Sequence, residues 1–193
     1  MRGLRSRGLG GVRLCVSDHH EGLKTAIAKI LGCPWQRCTV HFVRNMHGHC
    51  RRSERGLVSA ALREVFDASS LAEAKQRAGT VIERFRQSTP KIAELLEAAE
   101  EDLLAFYRFP AAHWAKLRST NPLERLNKEI GRRSDVVGIF PNDAAAIRLV
   151  GAMLIEQNDE WLVCRRYLSE ESLALVLEDQ GDQTKELTEL QAA

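Results

Sequence analysis

Two hydrophobic rhythms alternate in the first part of the chain. Val12-Arg13-Leu14-Cys15-Val16-Ser17 is mostly apolar with two β-branched positions, the pattern of a short buried strand. Asp18 ends it. From Glu21 to Leu31, residues Leu23, Ala26, Ile27 and Ile30 recur at helical spacing, and Gly32-Cys33-Pro34 stops the helix. Gln36 to Val40 predicts a second strand. Strand, helix and strand in so short a compass make a βαβ unit, hence a parallel pair with a right-handed crossover.

Beyond it the pattern turns helical. His41 to His49 places Phe42, Val43 and Met46 on one face, and Arg51 to Arg55 reads as a charged turn. Three helical segments follow. Leu57, Ala60, Ala61, Glu64 and Val65 mark the first; the second spans Leu71 to Arg86, anchored by Val81, Ile82 and Phe85. The third starts at Pro90, behind a Ser/Thr pair that can cap it, and continues through Ile92, Leu95, Leu96, Ala99 and Leu103. Phe106 to Pro110 breaks the pattern, and a short helix forms around His113, Trp114 and Leu117. Ser119-Thr120-Asn121-Pro122 is a helix start, with the helix expected to reach about Arg133. Gly138 to Pro141 connects to a long apolar helix, Asn142 to Glu156. A separate helix is expected around Trp161, Val163, Cys164 and Tyr167, and a short last one from Leu173 to Leu177. Residues 179–193 are polar and expected to be disordered.

Of the 193 residues, 44% are hydrophobic, enough for a real core, yet no apolar run approaches the ~20 residues of a membrane helix. The basic, Gly-rich start lacks the apolar stretch of a signal peptide. Five cysteines, an odd number, do not form a secreted disulfide framework, so reduced thiols in a cytoplasm are expected. The net charge of +2 hides an uneven distribution. Residues 1–55 carry eleven Lys and Arg against three Asp and Glu; residues 149–193 carry three against ten. Basic segments attract phosphate backbones, although an unevenly charged solvated surface explains the same counts.

Asp18 follows a strand and precedes a helix, so it suits either a helix cap or a carboxylate at the carboxyl end of a parallel sheet, where reactive groups gather. Glu124 lies three residues after Asn121 with Pro122 between, a capping-box arrangement. The helix it opens has an apolar stripe, Leu123, Leu126 and Ile130, and cations on the other faces at Arg125, Lys128, Arg132 and Arg133. Such an edge can lie along a phosphate backbone, or simply face solvent. Cys38 and His41 have zinc-ligand spacing, but His47, His49, Cys50 and Cys33 do not supply a standard second pair. Packing and hydrogen bonding at a strand end is the expected role of Cys38 and His41.

Five blocks together carry a family resemblance. Val16-Ser17-Asp18-His19-His20-Glu21-Gly22-Leu23-Lys24 resembles the block around the second catalytic aspartate of Mutator-type insertion-sequence transposases. Trp35 to Asn45 is similar to their Cys-x2-His block, and Ser119 to Ile130 to the block holding their catalytic glutamate. Asp135 to Asn142 and Glu156 to Trp161 resemble their C-terminal signatures.

The resemblance implies a DDE transposase, with an α/β, mostly helical fold: a partial RNase H-like core interrupted by an all-helical insertion. Residues 1–55 would be the strand-helix-strand part of that core, 56–115 the insertion, 116–178 the C-terminal helices completing the core, and 179–193 a tail. Asp18 and Glu124 would be catalytic and hold Mg2+, or Mn2+ in its place, for phosphoryl transfer at transposon ends. Arg44, Arg125, Lys128, Arg132 and Arg133 would contact DNA, both inverted repeats and target. A homo-oligomer in a bacterial cytoplasm, associated with the nucleoid and not with a membrane, is implied. The family's first catalytic Asp and its N-terminal DNA-binding region are expected upstream of this chain's start. His19 stands where a small residue is expected, and Gly131 where a basic one is. A truncated transposase, catalytically incomplete alone, is therefore expected; a regulatory remnant that binds DNA or a full-length transposase without catalysis is the alternative.

Overall fold

The computed structural model describes residues 1–163 and 168–177. Its elements are α1 (Arg2–Ser6), β1 (Cys15–Ser17), α2 (Glu21–Ala26) prolonged by a π-helical turn (Ile27–Leu31), β2 (Trp35–Arg37), α3 (Thr39–Met46), α4 (Arg55–Phe66), α5 (Leu71–Ser88), α6 (Pro90–Leu103), a 3-10 turn (Ala105–Arg108), α7 (Ala111–Leu117), α8 (Asn121–Val137) and α9 (Asp143–Val163). A further helical stretch covers 170–177. The protein is α/β and mostly helical, with one two-stranded sheet among the described residues. It divides into two compact units, Met1–Thr120 and a second that begins at Asn121.

In the first unit β1 and β2 pair in parallel, Cys15 opposite Trp35, Val16 opposite Gln36 and Ser17 opposite Arg37. The expected helical crossover joins them and ends at Gly32, whose φ of +65° is the left-handed conformation that closes a helix. Ile27, Cys33 and Trp35 form a small core here. Both strands are shorter than the sequence pattern suggests: pairing starts at Cys15 rather than Val12, and β2 ends at Arg37 rather than Val40. Thr39 and Val40 open α3 despite their β-branching. The Thr39 backbone N–H and hydroxyl both donate to the Arg118 carbonyl, at 2.9 Å each, and so satisfy a donor that a helix start otherwise leaves open.

The larger core lies in the helices. Phe42 and Met46 of α3, the inner faces of α4, α5 and α6, and Phe106 and Tyr107 form one buried cluster. The predicted anchors Val81, Ile82, Phe85, Ile92, Leu96, Ala99 and Leu103 are all buried. The inner face of α4 is shifted from the predicted one. It consists of Val58, Ala61, Leu62, Val65 and Phe66, while Leu57 is 45% exposed and Ala60 and Glu64 face solvent. Pro90 starts α6 as expected, but the side chain of Thr89 makes no capping bond.

The sheet is tied to this core by Gln36, which is wholly buried. Its Nε2 donates to the carbonyls of Leu103 at 2.9 Å and Arg37 at 2.7 Å, and its Oε1 accepts from the Phe106 N–H at 2.9 Å. A strand of three residues thereby gains a fixed seat on the end of α6.

In the second unit α8 runs past Arg133 to Val137 and buries none of its residues. Leu126 and Ile130 are half-buried, and Leu123 is 57% exposed. The helix α9 continues without a break through Trp161 to Val163, so the separate helix expected around Trp161 is its last turn. Cys164, Tyr167 and the 179–193 tail lie outside the described residues. No described helix is long and apolar enough to cross a membrane.

Candidate functional site

The parallel pair delivers two of the singled-out residues to one place. Ser17 and Arg37 are the last paired residues, so Asp18 and Cys38 both emerge at the carboxyl end of the sheet. The Cys38 N–H donates to the Ser17 carbonyl at 2.8 Å, which extends the ladder by one bond. His41 follows one turn into α3. Its Nδ1 lies 2.6 Å from Asp18 Oδ1 and 3.3 Å from Cys38 Sγ. Ligand-capable atoms of Asp18, Cys38 and His41 all fall within 4.8 Å of one another. The three differ in access: Cys38 is wholly buried, the His41 side chain is 24% exposed and that of Asp18 58%.

Asp18 is not the cap of α2. His20 fills that position, its Nδ1 accepting from the Leu23 N–H at 3.1 Å. The local role open to Asp18 is thus taken by a neighbour, and the Asp18 carboxylate turns to His41 instead.

The surroundings fix this corner. Thr120 directs both its N–H and its hydroxyl at Cys38 Sγ, each at 3.4 Å. The Trp35 indole N–H donates to the Ser17 hydroxyl at 2.8 Å. Lys24 pairs with Asp102 at 2.5 Å and lies 5.0 Å over the Trp35 ring, so the crossover helix is bound to both β2 and α6. Arg37 is buried 4.8 Å from the Phe42 ring centroid. Burial pulls its pKa down, while Asp102 and Glu21 work against that shift. Sequence reasoning missed Thr120 and Gln36. Neither carries a spacing signal toward its distant partner, since that partner lies 67 or more positions away.

The other thiols and imidazoles weighed for zinc lie elsewhere. His47 pairs with the Ser59 hydroxyl at 2.7 Å, and neither His49 nor Cys50 belongs to the Asp18 group. Cys33 packs in the small core with Cys15 against it, and burial raises the pKa of both.

Glu124 stands in the first turn of α8, in the second unit, and is exposed. With Asn121, Arg125, Asn127 and Lys128 it lines an open recess of about 520 Å3. Arg132 and Arg133 both bond to Glu129: Arg132 forks onto the carboxylate at 2.6 and 2.8 Å, and Arg133 Nε donates at 3.0 Å. These bonds hold the Glu129 pKa down to about 2. Of the four α8 cations, two are thus engaged by a carboxylate of the same helix and two border the recess beside Glu124. Arg44 is exposed on α3, in the first unit.

Comparison with known proteins gives a consistent picture. A family model described as "Transposase, Mutator family" matches residues 1–164. The transposase for insertion sequence element IS1081 of Mycobacterium tuberculosis is 43% identical over 173 residues, 89% of this chain and 42% of the relative. That for IS406 of Burkholderia multivorans is 41% identical over 88% of this chain and 44% of the relative. That for IS256 in transposon Tn4001 of Staphylococcus aureus is 34% identical over 86% of this chain and 43% of the relative. The chain therefore spans less than half the length of these relatives.

Proposed function

We propose that this chain, which belongs to the Mutator family of transposases, supplies an acidic centre and a DNA-contacting surface for phosphoryl transfer at the ends of an insertion sequence. One observation carries the reading: the Asp18 carboxylate stands exposed at the carboxyl end of a parallel strand pair, held by His41 of the Cys-x2-His block. The parallel pair with its helical crossover would be part of an RNase H-like core, and the helices of 56–115 an insertion between its two acidic residues.

In this reading Asp18 and Glu124 are the metal ligands. Mg2+ takes oxygen ligands and keeps several waters, so an exposed carboxylate suits it and the sulfur and imidazole behind Asp18 do not. When bound, Mg2+ would neutralise charge on the reacting phosphate. His41 would fix the direction of the Asp18 carboxylate through their close contact, while Cys38, held by Thr120, contacts His41 from the other side. Arg125 and Lys128, which line the same recess as Glu124, would bind DNA phosphates beside the acid. Arg44, Arg132 and Arg133 would extend that contact to inverted-repeat and target DNA. Pairing of two copies is proposed from the function itself, since a transposon has two ends.

The test is a chimera in which residues 1–164 replace the matching segment of the mycobacterial relative, assayed for strand cleavage at that element's inverted repeats. Asp18→Asn and Glu124→Gln are each expected to lower the cleavage rate by at least about a hundredfold, as loss of a group that stabilises transition-state charge does. An unaltered rate in either variant overturns the role of that residue.

A further inference from the structure

The trio at the end of the sheet has a donor set that Mg2+ chemistry does not use. Hard oxygen comes from Asp18 alone; His41 offers nitrogen and Cys38 offers sulfur. Imidazole and thiolate are ligands of Zn2+ and its neighbours in the transition series. We propose that Asp18, Cys38 and His41 form a binding site for Zn2+, and that its occupation engages the carboxylate assigned above to Mg2+. The second half of this statement rests on that assignment; the first does not.

The geometry requires little movement. Bonds of about 2.0 Å to nitrogen or oxygen and about 2.3 Å to sulfur, at tetrahedral angles, place ligand atoms roughly 3.3–3.6 Å apart. His41 Nδ1 already lies 3.3 Å from Cys38 Sγ. Its contact with Asp18 Oδ1, at 2.6 Å, must open by less than about 1 Å, and all three ligand atoms already lie within 4.8 Å of one another. The Asp18 side chain is free to do so, being 58% exposed at the start of a connector. The sulfur is prepared for a metal. It is wholly buried, and both the N–H and the hydroxyl of Thr120 point at it, as donors do around metal-bound thiolates. Three protein ligands would leave one position of the tetrahedron to water or a substrate group, as in catalytic rather than structural zinc sites.

Zn2+ is spectroscopically silent, so Co2+ is the probe. Titration of the purified chain with Co2+ is expected to produce a thiolate-to-metal charge-transfer band in the near ultraviolet, saturating at one equivalent and bleached by one equivalent of Zn2+. Cys38→Ser is expected to abolish the band. Asp18→Asn and His41→Gln are each expected to weaken Co2+ binding by at least about tenfold, the lower end of what even a supporting partner of a ligand contributes. Replacing Cys15 and Cys33 together by Ser should leave the band in place. Because Cys38 is buried, its variant is checked for folding by circular dichroism; should it unfold, the two partly exposed positions decide. No band, a band that survives Cys38→Ser in a folded chain, or unchanged affinity in both Asp18→Asn and His41→Gln overturns the proposal. A millimolar-scale excess of Mg2+ is expected to leave the band intact, and its loss would also overturn the site. None of these readings involves DNA. A chimera that cleaves normally with Asp18→Asn therefore refutes the catalytic role of Asp18 without touching the band, and a missing band refutes the zinc site without touching the chimera.

Discussion

Gln36→Leu isolates the contact that seats the sheet. The side chain is wholly buried and makes three hydrogen bonds, to the carbonyls of Leu103 and Arg37 and from the N–H of Phe106. Leucine fills nearly the same volume but offers no polar atom. The Phe106 N–H is then buried without a partner, at a cost of about 1–3 kcal/mol, and the Leu103 carbonyl loses a donor worth about 1 kcal/mol. The added apolar group returns about 1 kcal/mol. The net loss is about 1–3 kcal/mol, or a fall in Tm of about 2–12 °C for a chain of this size. Urea unfolding followed by circular dichroism measures it, with an unchanged dependence on urea as the sign that the native and unfolded states keep their compactness. Gln76→Leu, at an exposed position of α5, serves as the control and should stay within about 0.5 kcal/mol of the parent. A Gln36→Leu protein equally close to the parent would refute the claim that this amide holds β2, and with it Cys38, against the helical core.

Two further outcomes follow from charge. His113 is buried with its Nε2 unpartnered, and burial, helped by Lys116, holds its pKa below the ordinary 6.5. The unfolded chain takes up this proton first, so His113 makes stability fall as pH drops below the unfolded value, until the folded-state pKa is passed. Urea unfolding at about pH 7.5 and about pH 5.5 should show a smaller pH-linked loss in His113→Gln than in the parent; equal losses refute the linkage. Glu129→Gln releases Arg132 and Arg133. It is expected to tighten DNA binding and to steepen the dependence of log K on log salt by up to about 2, read by fluorescence anisotropy; an unchanged slope refutes a role for those arginines at DNA.

Local pattern was enough to determine most of the helices. Val81, Ile82, Phe85, Ile92, Leu96, Ala99 and Leu103 were legible as core because helical spacing puts them on one face, whatever they pack against. The βαβ unit was legible for the same reason, and so was Cys38 with His41, three positions apart at a strand-to-helix junction. Even so, α4 turned by one residue, because Leu57 and Val58 are equally apolar and only the neighbouring helices choose between them. The ends of the strands were a tertiary matter as well: Thr39 and Val40 favour a strand by type, and the carbonyl of Arg118, far along the chain, makes them a helix start.

The sequence by itself thus determined most of the elements, which family the chain resembles and which acidic and cationic residues deserve notice. Only the tertiary structure decided that Asp18 leaves its helix cap to His20 and meets His41, that Thr120 closes on Cys38, and that a single buried glutamine bolts the sheet to α6. The physical reason is range. Periodicity and capping are consequences of backbone geometry within a few residues, whereas a hydrogen bond between distant residues depends on the whole path of the chain that brings them together.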